Sequence, residues 1–410
     1  MEKTLKHINT NRPDFDQAIS RENTHAEKYD LRRKLFGTDD VLPMWVADMD
    51  LPTPPFIIEA LQKRLQHPIL GYPHTPDSVY QAIIDWQAQY GLEVKKSEIV
   101  FTHNVANGFM MAVGAYTAPG DAVMLMPPVY PPFFDAISRH HCQTVEAPLV
   151  LQDNRYSIDF AALEAKIEQF HVKLLLFCHP QNPSGRVWTT QELTQLADIC
   201  VKHHVTLVSD EIHADLTFAP NRHIPLASLE HPIREQTITL SSPGKTFNLG
   251  GLQTGYALIA NRKLKQTYLE YAKANAIYDL NLFGQIALEA AYSEQGRQWR
   301  DQLLQHFAEN IELLESFFKT HLPNVRLMKP EASFLVWLDF REIFDDHQAL
   351  KKWLIEDAKL GFNDGESFAG ASQTGTGFMR VNIAVSKETL NQAIMQINNA
   401  IGNLAPRQNK

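Results

Sequence analysis

Three short apolar runs, each followed at once by polar residues, constrain the fold of this chain more than any other feature. The runs cover residues 173–178, 205–209 and 237–240, and longer stretches with helical periodicity separate them. Apolar runs of this length are typical of the buried strands of a parallel sheet, whose crossover connections are helices. The pattern predicts an α/β fold in which the polar residues meet beyond the carboxyl ends of the strands, where such sheets bind ligands.

Length and composition predict a soluble protein of two domains. The chain has 410 residues, of which 44% are hydrophobic and 21% are charged, and about 150 residues per domain is a usual guide. It contains no apolar run of the roughly 18 residues that a membrane span needs. Residues 1–7 lack the apolar core of a secretion signal, and the three cysteines lie at no disulfide or zinc spacing. We therefore expect a cytoplasmic protein that does not enter membranes.

Charge and histidine spacing argue against two further classes of ligand. The net charge of −9 provides no electrostatic attraction for nucleic acid, whose binding depends on clustered Lys and Arg. The histidines are scattered, and neighbours such as His203 and His204 do not share one helical face as metal ligands would. We expect neither a nucleic-acid partner nor a bound metal.

The polar segment after the third run holds a lysine in a tight loop. Gly244-Lys245-Thr246 resembles the end of a phosphate-binding P-loop, but that motif needs a glycine five positions before Gly244, where Thr239 stands. An isolated lysine is usually a solvated surface residue. A lysine whose charged form is disfavoured can instead bond covalently to an aldehyde cofactor.

Polar residues also follow the first two runs. Residues 179–185 read His-Pro-Gln-Asn-Pro-Ser-Gly, and residues 210–213 read Asp-Glu-Ile-His. Because the carboxyl ends of parallel strands share one edge of a sheet, Asn182, Asp210 and Lys245 are expected to converge. The expected proximity of Asn182 and Asp210 favours a functional role for Lys245 over that of a solvated surface residue.

The three elements Asn-Pro-x-Gly, Asp and Ser-x-x-Lys occur here in the order found in the fold-type I pyridoxal 5′-phosphate enzymes, the aspartate aminotransferase superfamily. The resemblance extends from about residue 40 to residue 385. Residues 44–50, Met-Trp-Val-Ala-Asp-Met-Asp, and residues 209–213, Ser-Asp-Glu-Ile-His, are most similar to the cystathionine β-lyase-like carbon–sulfur lyase branch. Many aminotransferases carry a tyrosine and an arginine where this chain has His213 and Gln253.

This resemblance implies a large cofactor-binding domain with a mostly parallel seven-stranded sheet, together with a smaller α/β domain. The expected ranges are an N-terminal arm with part of the small domain at 1–55, the large domain at 56–290 and the C-terminal small domain at 291–410. The resemblance also implies a homodimer with shared active sites, in which Tyr72 of one subunit reaches the cofactor of the other.

The resemblance implies four contacts to the ring of pyridoxal 5′-phosphate. Lys245 is the expected covalent anchor and general base, and Asp210 is expected to keep the ring nitrogen protonated. Asn182 is expected to donate to the phenolic oxygen, although Asn-Pro-Ser-Gly is also simply a good turn sequence. Tyr130 matches the aromatic residue that stacks on the ring, and packing within its proline-rich loop is the alternative.

The same resemblance assigns a phosphate site and leaves one histidine open. The amides of Val105 and Ala106, at a helix start, and the hydroxyl of Ser242 are expected to bind the phosphate, whereas Gln253 supplies no charge. His213 matches the lyase branch. A role in tuning the cofactor and a purely structural role are about equally supported for it.

The resemblance further implies that Arg380 binds the substrate α-carboxylate and that Ala47 contacts the substrate. The favoured activity is a carbon–sulfur β-lyase, which cleaves L-cystathionine or another S-substituted cysteine to a thiol, pyruvate and ammonia. An aminotransferase is the alternative. A regulatory protein that only binds the cofactor is less favoured, because Lys245, Asp210 and Arg380 are all present.

Overall fold

A seven-stranded sheet forms the centre of the fold in the computed structural model, which describes residues 14–277 and 279–404. In chain order, strands β1 to β15 span Leu42–Pro43, Ile99–Thr102, Ala122–Leu125, Gln143–Glu146, Val150–Gln152, Arg155–Ser157, Leu174–Cys178, Thr206–Asp210, Thr237–Ser241, Gly255–Leu258, Arg326–Met328, Leu335–Asp339, Leu360–Gly361, Asn363–Asp364 and Phe378–Asn382. Helices α1 to α13 span Glu27–Asp30, Arg32–Phe36, Pro55–Leu65, Asp77–Ala88, Val105–Tyr116, Pro132–Arg139, Phe160–Phe170, Thr190–Lys202, Arg262–Ala274, Leu282–Ala291, Glu294–His321, His347–Lys352 and Lys387–Ala400.

The strand order of this sheet is β2-β10-β9-β8-β7-β3-β4. Strand β10 is antiparallel to both of its neighbours, and the other pairs are parallel. The three apolar runs of the sequence are β7, β8 and β9, which lie side by side. The predicted α/β fold with a mostly parallel seven-stranded sheet is therefore confirmed.

Helices cover both faces of the sheet, which explains why its strands are apolar without alternation. Side chains of β7 point alternately to the two faces. Leu175 and Phe177 pack with α8 on one face, whereas Leu174 and Leu176 pack with α5 on the other. Helix α8 begins where its sequence predicts, because Thr189 accepts a hydrogen bond from the amide of Glu192.

A second, antiparallel sheet has the order β11-β12-β15-β14. Its strands share one core with the N-terminal helices, since Trp86 of α4 belongs to the same apolar cluster as Phe307 and Val381. The ranges 1–55, 56–290 and 291–410 stay predictions, and residues 1–13 and 405–410 of them lie outside the described residues.

The sequence predicts neither membrane insertion nor secretion. No helix within the described ranges is both long enough and apolar enough to cross a lipid bilayer. The expectation that residues 1–7 lack a secretion signal concerns a segment outside the described residues.

Gly185 joins the end of β7 to the second sheet. Its φ is +71°, and a Cβ at this position would lie 2.5 Å from Cβ of Pro330 and 2.6 Å from the carbonyl oxygen of Ala332. The amides of Glu331 and Ala332 both donate to the Gly185 carbonyl, at 3.0 and 2.9 Å. The loop that carries Asn182 is thus hydrogen bonded to the segment leading into β12.

We predict that Gly185→Ala destabilises the fold by roughly 2 kcal/mol or more, because it adds a steric clash to the cost of a positive φ. Gly91→Ala is the control, since φ is +76° there but nothing lies within 4 Å of the added Cβ. Urea denaturation measures both changes. Equal losses in the two variants would contradict the proposed close approach.

Candidate active site

The carboxyl ends of β7, β8 and β9 bring three of the four predicted ring contacts, Asn182, Asp210 and Lys245, to one edge of the large sheet, opposite Arg380 of β15. The fourth, Tyr130, follows β3. The guanidinium Nη1 of Arg380 donates to Oδ1 of Asn182 at 2.9 Å. The charges of Asp210 and Arg380 both act on the amine of Lys245. Residues from three loops and from the second sheet therefore line one site.

The Lys245 amine donates to the carbonyl oxygen of Ala47 at 2.6 Å. Burial lowers the pKa of this amine to about 8, and the positive charge of Arg380 acts in the same direction. Asp48 and Asp210 oppose the shift but do not outweigh it. Lys245 remains mostly charged at neutral pH, but its neutral fraction is far larger than that of an exposed lysine, as a nucleophile or general base requires.

Asp210 ends β8 with only 4% of its surface exposed. Burial raises the pKa of its carboxyl to about 7, against a hydrogen bond at 3.2 Å from the amide of Ile212. No ion pair to Asp210 forms within residues 14–277 and 279–404. The charge of Lys245 lowers the pKa of Asp210 but does not outweigh burial. A buried carboxyl that forms no ion pair is suited to a ligand that brings a positive group.

Arg380 is 3% exposed and presents a partly unsatisfied guanidinium. Its Nη2 donates to the carbonyl of Trp45 at 3.0 Å, and its Cζ lies 4.9 Å from the ring centroid of Phe368. The Nε has no hydrogen-bond partner among the described residues, and no described carboxylate pairs with the group. Burial lowers the pKa of Arg380 to about 10. This environment suits a carboxylate ligand.

Asn182 can offer a hydrogen-bond donor to a ligand of the site, and Tyr130 contributes an aromatic ring to its lining. Because Oδ1 of Asn182 accepts from Arg380, its Nδ2 is the end that can donate to a ligand. Tyr130 packs edge-on against Phe109 and Phe133, with centroids 6.4 and 6.1 Å apart. Burial raises the pKa of Tyr130 to about 12, so its hydroxyl stays neutral.

His213 follows β8 and is 3% exposed. Burial, assisted by the charges of Lys245 and Arg380, lowers its pKa well below the usual value, so the ring is neutral. Its Nδ1 is buried without a partner in the part of the chain that the structure describes. His179 and His223 also have a buried Nδ1 that is unpaired among the described residues, so this feature does not distinguish a role in tuning the cofactor from a structural role.

The predicted phosphate contacts differ in whether they are free to donate a hydrogen bond. Val105 and Ala106 open α5, so their amides have no intrahelical acceptor, and the preceding Asn104 caps the helix through the amide of Asn107. The Ser242 hydroxyl instead donates to the carbonyl of Thr254 and accepts from the amide of Gly244 at 2.9 Å. The single proton of Ser242 is thus already committed to the protein.

Gln253 is tied to this helix start by a hydrogen bond that the sequence did not reveal. Its Oε1 accepts from Nδ2 of Asn104 at 2.6 Å. The neutral amide therefore supports the capping residue of α5 where many aminotransferases have an arginine.

Tyr72 is not brought to the other residues within one chain. Its side chain is fully exposed, and Leu65, Ile69 and Leu70 beside it are more than half exposed. A contact between Tyr72 and an active site would therefore need a second subunit.

Two asparagines of the site were missed by the sequence interpretation. Nδ2 of Asn382 donates to the carbonyls of Val46 and Asp48, at 2.5 and 2.6 Å. The side chain of Asn248 binds both the amide and the carbonyl of Met49, each at 3.0 Å. Asn248 lies three residues after Lys245 and Asn382 two residues after Arg380, but their long-range partners left no local signal.

A buried charge cluster anchors the same segment from its other side. Lys28 is fully buried, with its Nζ 2.9 Å from Asp48 and 3.2 Å from Asp50. Arg21 pairs with both carboxylates at 2.7 Å. The two cations balance the two anions, so that the cluster is neutral and its charges are paired, as burial requires.

Two groups of side chains lie close enough to share an ion: Glu164, Glu168 and His203, and His347, Asp364 and Glu366. In the second group, Nδ1 of His347 accepts from the amide of Gly377, so Nε2 carries the proton and donates to Asp364 at 2.7 Å. In the first group, Glu164 already pairs with Lys202 at 2.8 Å. Neither group makes metal binding necessary, and the expected lack of a metal stays a prediction.

The chain belongs to the family of class I and II aminotransferases, whose sequence pattern matches residues 39–397. It is 38% identical to cystathionine β-lyase PatB of Bacillus subtilis over 94% of this chain and 99% of that protein. It is 31% identical to the protein MalY of Escherichia coli over 95% and 98%. These relatives confirm the predicted resemblance to the lyase branch.

Two solved structures share the fold closely. Cystalysin from Treponema denticola, which contains a pyridoxal 5′-phosphate cofactor, superposes with a TM-score of 0.91 at 32% identity, over 96% of this chain and 99% of that one. The pyridoxal-phosphate-bound C–S lyase from Staphylococcus hominis gives a TM-score of 0.87 at 32% identity, over 95% and 98%.

We predict that Asp210→Asn stabilises the cofactor-free protein at high pH. The carboxyl ionises near pH 3.8 in the unfolded chain but near pH 7 in the fold, so the folded protein loses stability as the pH rises between these values. The variant should be more stable than the parent by roughly 4 kcal/mol at pH 8, with a gain that shrinks toward pH 4. Urea denaturation over this range measures it.

Asp135→Asn, which alters an exposed carboxyl of α6, is the matched control. A gain at Asp210 that is absent or independent of pH would show that burial does not govern this carboxyl.

Proposed function

We propose that this chain is a pyridoxal 5′-phosphate-dependent carbon–sulfur β-lyase. Its substrate is L-cystathionine or another S-substituted cysteine, and its products are a thiol, pyruvate and ammonia. The observation that carries the proposal is one buried site that combines the low-pKa amine of Lys245, the unpaired carboxyl of Asp210 and the guanidinium of Arg380. The relatives named cystathionine β-lyase and the C–S lyase structures favour elimination over transamination.

The residues present fit the cofactor. Lys245 offers an amine to its aldehyde, and the buried Asp210 offers a carboxyl to its protonated ring nitrogen. Nδ2 of Asn182 can donate to the phenolic oxygen. The amides of Val105 and Ala106 at the start of α5 suit the phosphate.

When bound, pyridoxal phosphate supplies an electron sink that makes the substrate Cα–H bond acidic. Arg380 binds the α-carboxylate through its unsatisfied Nε side and so orients the substrate. The carbonyl of Ala47 accepts one hydrogen of the Lys245 amine at 2.6 Å, which limits the directions in which the lone pair can point.

Proton transfer follows from the same groups. The neutral Lys245 amine accepts the proton of Cα, and the charge that it acquires is offset by Asp48 and Asp210. Asp210 stays ionised when a cation lies against it, because an opposite charge lowers the pKa of a carboxyl. The electron pair left on Cα forms a double bond to Cβ as the Cβ–S bond breaks, and the sulfur leaves with its bonding pair as a thiolate. One water then hydrolyses the remaining enamine to pyruvate and ammonia.

The test is incubation of the purified holoenzyme with L-cystathionine in the absence of any keto acid. A β-lyase releases many equivalents of pyruvate for each active site, and the cofactor spectrum returns to its starting form. Conversion of the cofactor to its pyridoxamine form after one equivalent would overturn the proposal in favour of an aminotransferase. A cofactor that binds without either change would favour a regulatory protein.

We predict that Lys245→Ala abolishes pyruvate release and covalent cofactor attachment, because the variant has no amine at this point. Borohydride reduction followed by mass spectrometry measures the attachment. Gln253→Arg is the control and should retain both properties, since Gln253 is exposed and touches Asn104 rather than the amine. Wild-type turnover in the alanine variant would mean that the anchor is elsewhere.

The proposal includes a homodimer with shared sites in the cytoplasm. Tyr72, Leu65, Ile69 and Leu70 form an exposed and mainly apolar segment, a feature that marks interaction surfaces. All three cysteines are free thiols, as is usual in a reducing compartment.

We predict that two inactive variants restore activity when they are mixed. In a mixed dimer the Tyr72→Ala subunit supplies Lys245 and the Lys245→Ala subunit supplies Tyr72 to the same site. One of the two sites is therefore intact. After unfolding and refolding of a 1:1 mixture, about a quarter of the sites should be active if the dimer is a closed two-fold pair. Mixing either variant with itself is the control. A mixture that stays inactive would place Tyr72 outside a shared site.

A further inference from the structure

A cavity of about 310 Å³ lies between α2, the strands β13 to β15 and the π-helical turn Trp353–Asp357. Its walls are mainly apolar, with Phe36, Leu354 and Ile355 among them. None of the described residues that line it is proposed above to hold the cofactor or the substrate. The cavity is therefore separate from the candidate active site.

The polar part of the lining is electrically neutral. Lys351 pairs with Asp364 at 2.6 Å, and His347 donates to the other oxygen of Asp364 at 2.7 Å. Asn363 also lines the cavity, and its side-chain amide forms no hydrogen bond with any described residue. Neither charge of the lining is free to pair with a charged ligand, because Lys351 and Asp364 already neutralise each other. The lining thus favours an uncharged ligand with one hydrogen-bonding group for Asn363.

Size narrows the class of ligand further. An engineered apolar cavity of about 150 Å³ holds a single benzene ring. The present volume of about 310 Å³ accommodates two fused rings or a branched aliphatic molecule of similar bulk. One wall is a π-helical turn, a rare element that is often found at functional sites.

Three lining residues connect the cavity to Arg380. Trp45 lines the cavity, and its carbonyl accepts from Nη2 of Arg380 at 3.0 Å. Met379 lines the cavity and directly precedes Arg380 in β15. Asn363 is paired with Arg380 across β14 and β15. A molecule that packs against these residues also supports the backbone that positions the guanidinium.

We propose that this cavity is a second ligand site, which takes a small, uncharged aromatic or branched aliphatic molecule with one hydrogen-bonding group. Occupation of the site holds the Trp45 carbonyl and the β14–β15 pair in place. Less conformational entropy is therefore lost when Arg380 binds a carboxylate. Binding itself is independent of the proposed lyase activity. The effect on Arg380 rests on the proposed function.

The binding test uses 2-naphthol, an uncharged two-ring probe whose own fluorescence reports binding to the holoenzyme. We expect one site per chain with a Kd below about 1 mM. Ile355→Trp fills the cavity and should weaken binding at least about tenfold, and Leu35→Trp on α2 is a second filling variant if the first does not fold. Met395→Trp is the control, since Met395 is 59% exposed on α13 and does not line the cavity.

Equal binding to the filling variants and to the control would overturn the site, because the probe would then bind elsewhere. Naphthalene-2-sulfonate, which has the same rings and a charge, should bind at least about tenfold more weakly. Equal affinity for this anion would overturn the assignment of an uncharged ligand.

The coupling test measures steady-state pyruvate release at saturating 2-naphthol. The KM for L-cystathionine should fall by about fivefold, a typical size for coupling between sites, while kcat changes little. Met395→Trp should respond like the parent, and Ile355→Trp should not respond. An unchanged KM in a protein that binds the probe would overturn the coupling, whereas a protein without lyase activity would fail the proposed function and leave the binding result intact.

Discussion

Hydrogen bonds to the backbone of residues 45–51 hold the candidate active site together. Lys245 from the large sheet, and Arg380 and Asn382 from the second sheet, all donate to carbonyls of this one segment. Neither sheet supplies all the groups of the site, so the relative position of these groups depends on an irregular segment that both sheets bind. The buried cluster around Lys28 fixes this segment from behind, and loss of one charge there would leave others unpaired.

The ionisable groups of the site are held in unfavourable states by burial. The pKa of Lys245 falls to about 8 and that of Arg380 to about 10, whereas that of Asp210 rises to about 7. Each shift has the same first cause, which is the removal of water from a charged group. Burial of the apolar clusters on both faces of the large sheet offsets the unfavourable free energy of burying these charged groups. A ligand with a cationic ring and an anionic carboxylate would relieve two of them.

The convergence of three site residues was expected because their strands β7, β8 and β9 are parallel and end at one edge, whereas the remaining site residues were implied by the resemblance. Asn182, Asp210 and Lys245 were predictable for this reason. Asn382 and Asn248 were not, since their partners lie far away in the sequence. The hydroxyl of Ser242 had the right chemistry for an anion, but its proton is used by the Thr254 carbonyl. Tyr72 lies on an exposed segment that one chain cannot bring to the site.

The sequence by itself determined the α/β class and the order of the motifs, because apolar runs and capping signals are local, and the family resemblance of its motifs supplied the residue types of the site. The tertiary structure alone decided which of these residues meet, how far burial moves their pKa values and where the cavity beside Trp45 lies. These properties depend on removal of water and on contacts between residues as distant as Trp45 and Arg380. No local pattern encodes such contacts, because they form only when two sheets and the N-terminal segment pack together.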